Sequence, residues 1–138
     1  LASRLEGVNK AYGTWIICSE STYNGVVDFN NGIHKDEILF RRLDRVRVVG
    51  RSTPVQLYNI VGFRNEFNSE KLEQIEIFHN ALDLYLNRDF IKAGKLFIQA
   101  NSICGGDPPS VIYAHLCKNN VENGVEDNWD GIRNMTSK

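Results

Sequence analysis

The sequence predicts an α+β fold built in two stretches: helix, strand, helix and antiparallel hairpin over residues 1–62, then an all-α helical hairpin plus one helix. Three observations carry this. Apolar residues alternate with a period of two between Ile38 and Val61, whereas beyond residue 70 they recur every three or four positions. Turn chemistry then punctuates the joins, at Asn30-Asn31-Gly32, at Gly50-Arg51-Ser52-Thr53-Pro54 and at Gly105 to Pro109.

Taken in order, Leu1, Leu5 and Val8 recur at helical spacing and Gly13 follows, so residues 1–12 read as an amphipathic helix. Trp15-Ile16-Ile17-Cys18 reads as a short buried strand, and Ser19 as the N-cap of a helix through about Val27. Val46 and Val48 alternate with Arg45 and Arg47, and Val55 and Leu57 return the chain after the turn. The expectation is a hairpin with one apolar face and one arginine-rich face.

Residues 63–69 form a polar linker ending in a candidate cap at Ser69. Leu72, Ile75, Phe78, Leu82 and Tyr85 stripe one side of a helix over about 70–87, and Arg88-Asp89 breaks it. Phe90, Ala93, Phe97 and Ala100 stripe a second helix that ends near Gly105-Gly106. Asp107 as cap and Pro108-Pro109 in the first turn restart the chain, and Ile112 and Leu116 mark a third helix to about Asn119. Small residues at 81, 93 and 100 let paired helices approach closely. The tail, 120–138, reads as polar and extended, with Trp129 as its one large apolar anchor.

With 138 residues, 42% hydrophobic and 24% charged, the chain can bury a core and fits one ordinary domain or two small units. The formal net charge is −1, with +2 over residues 1–62 and −3 over 63–138. That balance runs against nucleic-acid binding through the Arg41–Arg51 strip. No apolar run approaches the roughly 18–20 residues of a membrane span. Three cysteines are too few for a disulfide framework and point to a reducing compartment. Starting at Leu1 with no signal segment, the chain reads as a soluble piece of something larger.

Chemistry readable from spacing alone is sparse. There is no glycine-rich phosphate loop, paired-carboxylate motif or Cys-x-x-Cys. His34, His79 and His115 are scattered, and His115-x-Cys117 with Cys104 lacks the tight ligand pairs that zinc uses. The run Arg41 to Arg47 reads first as the solvated side of the hairpin and second as a polyanion contact, since guanidinium forks suit phosphate oxygens.

Two stretches resemble a known family. Leu1-Ala2-Ser3-Arg4-Leu5-Glu6-Gly7, then Asn9-Lys10, Tyr12-Gly13 and Ser19-Glu20-Ser21-Thr22-Tyr23, are similar to the closing part of a class III adenylate/guanylate cyclase catalytic domain. Leu43-Asp44-Arg45-Val46-Arg47-Val48, Gly50-Arg51-Ser52-Thr53-Pro54-Val55, Tyr58 and Gly62 resemble that domain's final hairpin. Ala81, Asp89-Phe90, Ala93, Phe97 and Ala100 fall on the small and aromatic positions of a tetratricopeptide repeat, a unit that follows the cyclase domain in many bacterial members. The tail from Asn128-Trp129-Asp130-Gly131 to Met135-Thr136-Ser137-Lys138 is similar to the ending of such proteins, which would make Lys138 a natural terminus.

The resemblance implies a ferredoxin-like cyclase half over 1–62, a 63–69 linker, a tetratricopeptide-like unit over 70–119 and a tail over 120–138. It further implies a parent that converts ATP, or GTP, to a 3′,5′-cyclic nucleotide and pyrophosphate at a homodimer interface, with two divalent cations, Mg or Mn, held by aspartates upstream. The implied setting is cytoplasmic signalling, with upstream segments free to supply a membrane anchor and no membrane segment or nucleic-acid partner here. Arg4 falls on the family's transition-state arginine, and the asparagine four positions before it would precede Leu1. The fragment itself should bind no metal and be inactive, since the metal aspartates and base-selecting residues lie outside it. The hairpin lysine that grips the terminal phosphates is replaced by Val49, which removes a charge-assisted contact worth about 1.5–3 kcal/mol. Arg51, two positions on, is the candidate substrate-binding substitute. The competing reading is a degenerate cyclase remnant whose helical unit serves protein interaction or dimerisation.

Overall fold

A computed structural model describes residues 16–47, 50 and 53–134. The expected first helix, Trp15, Val48, Val49 and Arg51 lie outside the described residues, as does the end of the tail from residue 135. The fold is α+β and divides into two units, Leu1–Phe67 with Ile132–Lys138, and Asn68–Gly131.

The first unit holds strand β1 (Ile17–Ser19), helix α1 (Glu20–Asp28), strands β2 (Ile38–Arg47) and β3 (Val55–Phe63), and a two-residue strand β4 (Arg133–Asn134). The sheet order is β1-β3-β2-β4, with β1 and β2 antiparallel to β3 and β4 parallel to β2. Ser19 caps α1 as its sequence position predicts, its side chain accepting from the Thr22 N–H at 3.4 Å. The Asn-Asn-Gly turn holds Asn30 and Asn31 at positive φ, a conformation that asparagine tolerates better than most residues. The first strand is less buried than its apolar run suggests. It begins at Ile17, only Cys18 within it is buried, and Ile16 is 53% exposed, because β1 is an edge strand of the described sheet.

Two register shifts shape the hairpin. One inserts an extra residue on β3 where Leu39 faces Gly62 and Phe40 faces Ile60. The other inserts one on β2 between Arg42, opposite Tyr58, and Arg45, opposite Gln56. Gly62, at φ 150, is required at the first, since a Cβ there would meet the Phe67 ring at 2.9 Å. Among the described residues of this unit, Leu39, Leu43, Val46 and Leu57 are the buried apolar set, with Cys18.

The second unit is helical: α2 (Ser69–Leu86), α3 (Phe90–Asn101) and α4 (Pro108–Asn123). Asn68 rather than Ser69 caps α2, its side chain accepting from the Lys71 N–H at 3.0 Å. Ile75, Phe78, Leu82 and Tyr85 are buried as the stripe predicts, whereas Leu72 is half-buried and Gln74 joins the core. The break at Arg88 is a positive-φ residue, followed by Asp89 as the α3 cap. All four residues of the α3 stripe are buried.

The third helix departs from its sequence reading. It runs four residues past Asn119, and its buried side is Tyr113 and Cys117, while Ile112 and Leu116 are half-buried. The reason is packing: Tyr113 stacks on Phe97 at 5.2 Å and meets Phe78 edge-on at 5.7 Å, filling the centre of the unit. Asp107 occupies the cap position without the usual side-chain bond to the helix, its carboxylate accepting from the Ser110 hydroxyl instead. Trp129 anchors the tail as expected, edge-on to Tyr85 and Phe90 at 5.3 and 5.2 Å. No helix among the described residues is long and apolar enough to cross a membrane.

Candidate functional site

Arg4, Val49 and Arg51 lie outside the described residues, so the site is described through the hairpin that carries the 48–54 turn. Val46 pairs with Val55 at the base of that turn, and Arg47 pairs with Asn134 on the other side. Gly50 sits in the turn, exposed and at φ 86.

The arginine run does not form one face. Strict alternation would place Arg41, Leu43, Arg45 and Arg47 together. The extra residue at Leu43-Asp44 resets the phase, so Arg42 and Arg45 lie opposite Tyr58 and Gln56 on one side. Arg41 lies opposite Asn59 on the other side and is only 2% exposed. Arg45 is exposed, as alternation predicts, and Arg47 is half-buried.

The bulge is fixed by its own hydrogen bonds. Gln56 Nε2 donates to the carbonyl oxygens of Leu43, at 2.6 Å, and Leu57, at 3.2 Å. Asp44, buried, accepts the Arg45 N–H at 2.7 Å. These bonds satisfy backbone groups that the interrupted ladder leaves over. Sequence reasoning missed Gln56 and Asp44 as the determinants of which arginines share a side. An acid inside the arginine run and a glutamine on the returning strand are the only signal the sequence offers for it.

Helix α1 covers the Arg42 side. Tyr23 stacks on Tyr58 at 3.9 Å, and Phe40 meets Tyr23 edge-on at 4.9 Å. Burial, and then the neighbouring Tyr23, raise the Tyr58 hydroxyl above its ordinary value, with Arg42 acting against them. This side of the hairpin is thus packed by stacked aromatic rings from α1, β2 and β3.

The described residues hold no group of three His, Cys, Asp or Glu that could bind a metal ion. His115 and Cys104 are exposed while Cys117 is buried. His34 pairs locally with Glu37, Nδ1 to Oε1 at 2.8 Å, on an exposed loop.

Comparison with known proteins points to one class. The chain is 29% identical over 123 residues to a terminal-differentiation-specific adenylate cyclase of Dictyostelium discoideum, a match covering 88% of this chain and 6% of that protein. It is 36% identical over 69 residues to adenylate cyclase 1 of Rhizobium meliloti (strain 1021), covering 50% of this chain and 9% of that protein. The chain thus spans less than a tenth of the length of either relative. No protein-family model matches it, and no solved structure does.

Proposed function

We propose that this chain is the C-terminal portion of a class III purine nucleotide cyclase, whose full-length form converts ATP, or else GTP, to a 3′,5′-cyclic nucleotide and pyrophosphate. The observation that carries the reading is the 88% of the chain aligned with an adenylate cyclase. In this reading residues 1–62 complete the catalytic domain and residues 70–119 are a tetratricopeptide-like unit behind it. Arg4 stabilises charge building on the α-phosphate, and Arg51 reaches the terminal phosphates in place of the lysine that Val49 replaces. Divalent cations, when bound upstream, would lower the charge of the phosphates and activate the 3′-hydroxyl. The segment by itself is inactive, and the enzyme works as a cytoplasmic homodimer.

The test is a cyclase assay on the full-length protein with manganese and either ATP or GTP, beside Arg4→Ala, Arg51→Ala and Val49→Lys. The reading expects Arg4→Ala to lower kcat by about a hundredfold or more, as loss of one oxyanion-stabilising donor does. It expects Arg51→Ala to raise KM and Val49→Lys to lower it. A full-length protein inactive in every version overturns the reading and favours the second one, a cyclase remnant whose helical unit binds protein, for which the exposed Ile91, Ile98 and Val121 speak.

A further inference from the structure

The helical unit carries two complementary surfaces. Over Asn68–Gly131 there are five Lys+Arg against ten Asp+Glu, a net −5. Three of the five cations, Lys92, Lys95 and Lys118, nevertheless sit exposed on α3 and α4. Lys95 and Lys118 line a groove of about 310 Å³ between these helices, together with Ile91, Ile98 and Val121 and a single acid, Glu122. The three apolar residues are 61%, 65% and 51% exposed. Gly94 brings the helices close enough that a Cβ there would meet Cys117 Cβ at 3.4 Å, so the floor is shallow and the apolar rims stand open.

Helix α2 presents the opposite chemistry. Glu73, Glu76 and Asp83 are exposed on its outer side, bordered by half-buried Ile77 and Leu84. Ile77 and Leu84 are seven residues apart, as are Ile91 and Ile98, so each pair spans about 10.5 Å of helix axis. An acidic ridge edged by two aliphatic residues thus matches a basic groove edged by two at the same spacing.

We propose that the α3/α4 groove takes the α2 ridge of a second copy of this chain. The contact is heterologous: one surface meets a different surface on the next copy, so it can extend beyond two copies. A single helix in a shallow groove is a small interface, so the association is weak and salt-sensitive. This contact belongs to the helical unit and stands whether or not the chain belongs to a cyclase.

The experiment is sedimentation of the 138-residue chain from about 10 to 500 μM, at about 50 mM and 500 mM salt. Three variants accompany it: Ile98→Asp, the groove reversal Lys95→Glu with Lys118→Glu, and the ridge reversal Glu73→Lys with Glu76→Lys. All these positions are exposed, and circular dichroism checks that each variant is folded. Expected is a concentration-dependent rise in mass for the unmodified chain, at least about threefold weaker at high salt, and lost in each variant alone. An equimolar mixture of the two reversal variants regains it, since each then meets a surface of opposite charge. A monomer throughout the range, association that survives the reversals because another face drives it, or a mixture that stays dissociated overturns the proposal.

Discussion

The Nε2 of Gln74 donates to the carbonyl oxygen of Ile103 at 2.8 Å, joining the first turns of α2 to the chain that leaves α3. The same amide nitrogen lies within 3.0 Å of the Ala100 carbonyl and 3.2 Å of the Gly106 carbonyl, and the Gln74 side chain is fully buried. A helix C-terminus leaves carbonyls without intrahelical donors, and one buried carboxamide serves them here. Gln74→Leu keeps the volume and removes the donor, leaving acceptors buried without it. The expected loss is about 2–3 kcal/mol, read as a lower urea midpoint at unchanged m-value. Gln74→Leu at unaltered stability would mean that water replaces the amide.

Arg88 and Trp129 close the other end of the same unit. The Arg88 guanidinium lies 5.8 Å from the Trp129 ring and its Nη2 donates to the carbonyls of Asp127 and Trp129 at 2.7 and 2.9 Å. These bonds hold the tail against Tyr85 and Phe90, and they oppose the strain of an arginine at φ 66. Trp129→Ala should cost about 2–3 kcal/mol, below the full value for a core tryptophan because the ring is half-buried. Arg88→Gly relieves the backbone but releases the tail. The measurement is thermal unfolding together with amide exchange, and the amides near Asp127 to Trp129 should lose protection in both variants.

Sequence periodicity located the helices because their buried stripes, Phe78 to Tyr85 and Phe90 to Ala100, are long and regular. It marked α4 by Ile112 and Leu116 without singling out Tyr113 and Cys117, which they outweigh in hydrophobicity, whereas the centre of the unit needed a large ring. Gln74 is invisible to an apolar pattern, since its burial depends on carbonyls 26 to 32 residues away. The hairpin was legible as two strands, but the phase of its arginines was not. A bulge is set by the tertiary bonds of Gln56 and Asp44, and alternation cannot register an inserted residue.

That phase predicts opposite outcomes for two neighbouring arginines. Arg41, 2% exposed opposite Asn59, should be structural, and Arg41→Ala should cost about 3 kcal/mol or more. Arg45, exposed, should change stability by no more than about 0.5 kcal/mol when replaced by Ala. Urea titration of both variants separates the cases. Equal costs at the two positions would show that the bulge does not divide the run.

Alkaline pH should destabilise the chain through its buried thiols. Burial pushes the Cys117 thiol up to about 12, and raises Cys18 by the same cause. An exposed thiol in the unfolded chain loses its proton near pH 8.5. Between there and about pH 12 the folded state therefore binds more protons than the unfolded state. The stability from a neutral, buried Cys117 is fully present below the unfolded value and is lost as pH rises through that window. The slope from this residue is about 1.4 kcal/mol per pH unit. Urea midpoints measured at pH 8 and pH 10 should fall accordingly, and Cys117→Ala, though less stable at pH 8, should show a markedly flatter fall. An unchanged slope in Cys117→Ala would assign the alkaline loss to Cys18 and Tyr58, whose hydroxyl burial also raises.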